Sequence, residues 1–150
     1  VQVGDFLEAD VGEAPSAITM ADVVEHTPDP RRFVARAAEL LRPGGALFVA
    51  VPNHRSTLFL AADVLARVPG LSSMVSKLYV PNHYWYFTPA TLVRLIESVG
   101  LRVVAVRGES PYLGRYTFSF PVRAGLATLI ALGKLTGLEA RVEVYAVKPS

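Results

Sequence analysis

Two short stretches carry the side chains that could do chemistry. Ala21-Asp22-Val23-Val24-Glu25-His26-Thr27-Pro28-Asp29-Pro30 brings two carboxyls and an imidazole close together, and Asn82-His83-Tyr84-Trp85-Tyr86-Phe87 sets a second imidazole beside a run of aromatic rings. Imidazole titrates near neutrality, so a histidine in an aromatic pocket is suited to take a proton from a phenol or hydroxyl. His83 therefore reads either as a general base or as a packed histidine that fixes its loop against Pro52-Asn53. Glu25 and His26 read as structural groups bonding the free N–H groups of the next helix, as a base or metal contact, or as solvated side chains. His54 is a lone polar residue in a loop. No His, Asp or Glu grouping has metal-ligand spacing along the chain, so no metal is assigned, and neither a Ser-His-Asp order nor a nucleophile elbow occurs.

The elements that must position these residues announce themselves by periodicity and by end signals. Ala17 to Met20 is short and apolar, suiting a buried strand, and Ala46 to Val51 is a continuous apolar run bounded by Gly-Gly and Pro-Asn. Between them, Asp29 suits an N-cap and Pro30 the first helical position. Phe33, Val34, Ala37, Leu40 and Leu41 then form one apolar face before Pro43-Gly44-Gly45 ends the helix. Strand, helix and strand make a right-handed βαβ unit with parallel strands. Thr88-Pro89 repeats the cap-and-proline signal, with Leu92, Leu95, Ile96 and Val99 at helical spacing and Gly100 at the end. Leu101 to Val106 reads as the next strand, and Arg141 to Lys148 alternates as a strand at or near a sheet edge should.

Two helical insertions interrupt this α/β alternation. Residues 56–79 read as two short helices split at Pro69-Gly70, and residues 122–138 form an apolar stretch interrupted by Arg123 and Lys134, too short to span a bilayer. Each reads either as a helix packed on the sheet or as a greasy lid over an apolar substrate or a membrane surface. The 150 residues make one domain, 51% hydrophobic and able to bury a core. A formal charge of +2 is a small excess of basic residues and does not imply a nucleic-acid partner. The absence of cysteine removes disulfide and thiolate chemistry and fits a cytoplasmic setting.

The order and spacing of "ADVVEHTPDPRRFVARAAELLRPGGALFVAVPN" and "NHYWYFTPATLVRLIESVGLRVVAV" resemble the second half of a class I S-adenosylmethionine-dependent methyltransferase, in the group that methylates ubiquinone precursors and other small molecules. The resemblance implies a Rossmann-like open sheet holding the family's strands three to seven, in the part 4-5-7-6 of the order 3-2-1-4-5-7-6. It lacks the first two strands, the glycine-rich turn that cradles the cofactor's methionine part and the acidic residue that holds its ribose. Val1 to Gly4 would be an unpaired strand three and Ala17 to Met20 a bare edge, open to self-association.

The same resemblance implies site roles. Asp5 would bond the adenine amino group of S-adenosylmethionine and Phe6 would pack on its ring, while Met20 and Ala21 would line the methionine end. Asp22 and His83 stand as catalytic candidates, and His26, Tyr84 and Trp85 as substrate contacts. The implied function is methyl transfer to oxygen or carbon of a small acceptor, an apolar one if the helical insertions form a greasy lid. The alternative is a non-catalytic fragment or partner-dependent subunit that keeps half of the fold for assembly. The acceptor itself is not legible.

Overall fold

The structure, a computed structural model, describes residues 4–70, 79, 81–111, 113–115, 117 and 119–150. Strands β1 (Ala17–Ala21), β2 (Ala46–Pro52), β3 (Arg102–Glu109) and β4 (Arg141–Val147) form one open sheet in the order β1-β2-β4-β3. Helix α1 (Pro30–Leu40) carries the chain from β1 to a parallel β2, in register from Ala17↔Ala46 to Ala21↔Ala50. β4 then inserts antiparallel between β2 and β3. This is the order expected of strands four, five, seven and six.

Local chemistry explains the helix ends. The Asp29 side chain accepts from the Arg32 N–H at 3.0 Å, and Pro30 opens α1, where a missing N–H costs nothing. Helix α2 (Thr57–Leu65) is capped by Ser56. Helix α3 (Pro89–Glu97) starts on a full capping box: the Thr88 hydroxyl accepts from Thr91 N–H, and the Thr91 hydroxyl accepts from Thr88 N–H. After α1, a Cβ on residue 45 would stand 2.8 Å from the Arg42 carbonyl, so the turn into β2 requires glycine there. Helix α4 (Phe120–Thr136) precedes β4.

Burial follows the strand patterns. Leu47, Val49, Ala50 and Val51 of β2 are all buried, as a continuous apolar run requires, whereas β4 buries only Val142, Val144 and Ala146. Val34, Ala37, Leu41, Leu92 and Ile96 close the core from α1 and α3. Among the described residues β1 has no neighbour on its outer side.

Several boundaries differ from those read in the sequence. β3 runs on to Glu109 rather than stopping at Val106, because Arg107, Gly108 and Glu109 find partners in Glu143, Val142 and Arg141. α2 ends at Leu65, before Pro69-Gly70, and the second helix placed in 56–79 falls largely on residues 71–78, outside the described residues. α4 begins two residues earlier than expected, with Pro121 in its first turn. Val1 to Val3 of the presumed strand three also lie outside the described residues; Gly4 is a bend that leads into a turn closed by Glu8 N–H donating to the Asp5 carbonyl.

The core account separates two leucines. Leu92→Ala, at a fully buried site, is expected to lower unfolding free energy by about 2–5 kcal/mol. Leu135→Ala, at a site 83% exposed, is expected to change it by no more than about 0.5 kcal/mol. Urea titration of both variants checks the contrast.

Candidate active site

The parallel crossover delivers the chain at the carboxyl end of β1, where an open α/β sheet places its ligands. Asp22 N–H still bonds the Ala50 carbonyl at 2.9 Å, but Asp22 itself turns into the left-handed region at φ 53°. A 3-10 turn (Val24–His26) follows, with Val24 in the core and Glu25 beside it at 1% exposure.

A ladder of hydrogen bonds joins this turn to the aromatic loop. The Glu25 carbonyl accepts from Tyr84 N–H at 2.9 Å and Trp85 N–H at 3.3 Å, and the Trp85 indole N–H donates to the Thr27 carbonyl at 3.0 Å. His26 Nδ1 lies 3.0 Å from the Asn82 carbonyl. A carbonyl only accepts, so Nδ1 carries a proton, and in the neutral ring that leaves the lone pair on Nε2. The ladder lays His83 edge-on against His26, with ring centroids 4.5 Å apart.

Glu25, His26 and His83 thus form a cluster that linear spacing conceals. One ligand atom from each lies within 4.8 Å of the others. Two imidazoles and a carboxylate are a donor set that divalent first-row metals accept, and they leave room for further ligands. Neither Glu25 carboxylate oxygen has a hydrogen-bond partner among the described residues. Glu25 therefore does not cap the following helix; Asp29 does. Burial pushes its pKa upward, because desolvation disfavours the charged form. Burial also lowers the His83 pKa, with the neighbouring His26 acting in the same direction.

Asp22 is not a free carboxylate. Both its oxygens accept from Arg141 Nη1, at 2.7 and 2.9 Å, and Arg141 Nε stands 3.0 Å from Glu109 Oε2. The ends of β1, β3 and β4 are tied together in this way. Met20 packs in the core at 3% exposure, leaving its main chain as the part able to face a cofactor. Ala21 is exposed at the end of β1. Asp5 and Phe6 line a cleft of about 390 Å³, where Asp5 Oδ1 accepts from Leu7 N–H and Phe6 also packs on Phe33 at 5.6 Å. Tyr84 is largely exposed, and Trp85 lines a separate cleft of about 630 Å³ between α1 and α3, with Arg31 and Arg94.

His54 belongs to an aromatic group that sequence reading missed. Its ring lies 4.9 Å from Phe59, 5.0 Å from Tyr86 and 5.9 Å from Tyr79, and Tyr86 reaches His83 at 6.2 Å. This wall links α2 to the histidine cluster. A histidine flanked by distant aromatics leaves no linear signal.

The unpaired Glu25 carboxylate makes a definite stability prediction. Its folded pKa is raised above the unfolded value of 4.5, so its contribution is least unfavourable below that value and worsens as pH rises through the folded pKa. Glu25→Met is expected to gain about 1–3 kcal/mol at neutral pH, with the gain shrinking toward pH 4. Urea unfolding in the presence of EDTA at both pH values measures it; a loss at neutral pH would mean the carboxylate is well paired.

Residues 4–106 match the family model described as a methyltransferase domain. The chain is 33% identical over 122 residues to the ubiquinone biosynthesis O-methyltransferase of Methylobacterium nodulans, covering 77% of this chain and 47% of that protein. It is 30% identical over 114 residues to the human mitochondrial ubiquinone biosynthesis O-methyltransferase, covering 73% and 30%. The chain thus spans less than half the length of these relatives. Among solved structures it resembles an S-adenosylmethionine-dependent methyltransferase from Archaeoglobus fulgidus, with a TM-score of 0.59 and 18% identity, covering 97% of this chain and 66% of that one. It also resembles phosphoethanolamine N-methyltransferase 2 of Haemonchus contortus, solved with S-adenosyl-L-methionine, with a TM-score of 0.57 and 15% identity, covering 97% and 36%. The sheet order, the domain match and the sequence identity agree, and the chain belongs to the class I S-adenosylmethionine-dependent methyltransferases.

Proposed function

We propose that the protein transfers a methyl group from S-adenosylmethionine to a hydroxyl oxygen of a small, apolar acceptor. The observation that carries this reading is the His26–His83 pair over the buried Glu25, at the carboxyl end of β1 and beside an aromatic wall. Methyl transfer from a sulfonium needs alignment and, for a hydroxyl, removal of one proton. The His83 imidazole, its pKa lowered by burial, is neutral at physiological pH and takes that proton. The acceptor oxygen forms a bond to the methyl carbon as the carbon–sulfur bond breaks. S-adenosylhomocysteine leaves neutral, and the proton stays on the imidazolium. Asp5 and Phe6 hold the adenine end of the cofactor, the main chain at Met20 and Ala21 faces its methionine end, and His26, Tyr84 and Trp85 contact the acceptor. Asp22, paired with Arg141, shapes the wall rather than taking a proton.

A second reading is favoured by the buried carboxylate without a partner: the same three side chains hold a divalent ion. Such an ion, when bound, supplies Lewis-acid activation of the acceptor hydroxyl. Glu25 would then contribute a carboxylate oxygen and His26 its Nε2, oriented by the Asn82 carbonyl.

Transfer of labelled methyl from S-adenosylmethionine to a panel of phenols with and without apolar tails tests the proposal. His83→Gln is expected to lower kcat by about 10²- to 10⁴-fold while leaving cofactor affinity unchanged. Wild-type kcat in this variant, or transfer to nitrogen alone, would refute the assignment. With His83 as base, EDTA leaves the rate intact, and the rate falls only as pH drops below the ordinary histidine value of about 6.5. Loss of activity in EDTA, restored by a divalent salt, selects the metal reading instead.

A further inference from the structure

The cleft of about 630 Å³ between α1 and α3 is a second concave site, and none of Glu25, His26 and His83 lines it. Its apolar lining is Pro28, Pro30, Trp85, Tyr86, Phe87 and Leu95. Pro30 and Phe87 are buried, whereas Trp85 stays 45% exposed although its indole N–H is already satisfied by the Thr27 carbonyl. A large flat ring fixed at its polar edge and left half open is a surface on which another ring can stack.

The charges around the cleft are unequal. Arg31 and Arg94 both line it and both are exposed. Arg31 Nη2 donates to the Ser98 carbonyl at 3.3 Å, which occupies one N–H of a guanidinium that carries several. The acid of the lining, Asp29, serves as the α1 cap by accepting from Arg32 N–H at 3.0 Å. Pro30 and Arg31 open α1, and Thr91 lies in the first turn of α3, so the positive ends of two helix dipoles face the same space. Guanidinium groups hold carboxylates through paired N–H bonds, and an apolar cleft of this size with a few charged groups suits a small molecule.

A flat apolar ring joined to a carboxylate matches both halves of the lining: the ring lies on Trp85 and the acid meets Arg31 and Arg94. We infer that this cleft is an effector site for a small aryl carboxylate, apart from the histidine cluster, and that the bound ligand fastens the loop carrying His83. Trp85 links the two places. Its main-chain N–H donates to the Glu25 carbonyl and its indole N–H to the Thr27 carbonyl, so a ligand held against the ring favours the closed ladder and keeps His83 beside His26. The inference does not rest on the identity of the methyl acceptor.

Trp85 is the single tryptophan of the chain, so its fluorescence and its indole N–H resonance report on the cleft directly. Titration with phenylacetate is expected to change the fluorescence saturably, with affinity at least about tenfold above that of the neutral phenylacetamide, while acetate leaves the signal unchanged. Arg31→Gln or Arg94→Gln is expected to weaken phenylacetate binding about fivefold each, and His83→Gln to bind it as the wild type does. Both arginines are exposed, so an unchanged unfolding midpoint shows that their variants remain folded. With phenylacetate at about ten times its Kd, hydrogen exchange of the Trp85 indole N–H is expected to slow about tenfold. The inference is overturned by the absence of a saturable change, by equal affinity for the acid and the amide, or by affinity that neither arginine substitution alters. Loss of binding in His83→Gln, or indole exchange unaltered at saturation, would overturn it as well.

Discussion

The candidate site depends on the hydrogen-bond ladder between the turn after β1 and the aromatic loop before α3. Glu25 O to Tyr84 and Trp85 N–H, the Trp85 indole to Thr27 O, and His26 Nδ1 to Asn82 O all join main-chain groups to a neighbour that is remote in sequence. A buried carbonyl without such a partner would be costly, so the loop is held where it satisfies the turn. His83 stands next to His26 as a consequence. Loosening the ladder would separate the two imidazoles without touching either one.

The sheet supplies the rest of the frame. The parallel β1–β2 pair sets where the turn begins, and the Asp22–Arg141–Glu109 ion pairs bind the ends of β1, β4 and β3 into one rim. These groups are only half-buried, and exposed ion pairs contribute little to stability. Their effect is on direction: with both oxygens held by one guanidinium, Asp22 stays in a left-handed conformation that starts the turn toward Glu25. The carboxylate that its place after β1 makes a catalytic candidate is held in an ion pair by Arg141.

Local signals were legible in the sequence, and long-range ones were not. Asp29-Pro30 and Thr88-Pro89 mark helix starts through bonds made within four residues, so the sequence shows them directly. The βαβ unit and the strand order followed from hydrophobic runs and from the family resemblance. The extension of β3 to Glu109 was hidden because Arg107 and Gly108 are strand residues only through their partners on β4. The cluster was hidden because His83 meets His26 across a loop whose path depends on backbone bonds, and the Asp22–Arg141 pair because it spans most of the chain. Met20 takes its expected cofactor role from the family resemblance, as the last residue of a strand, whereas the side of the sheet that it faces follows from the β1–β2 register.

The central proposal is that the His83 imidazole takes the acceptor's proton. Methyl-transfer kcat of His83→Gln measured against pH tests it most directly. The account predicts a rate lower by about 10²- to 10⁴-fold, without the wild-type decline below about pH 6.5. A wild-type kcat, or an acid decline that the substitution leaves unaltered, would contradict the account.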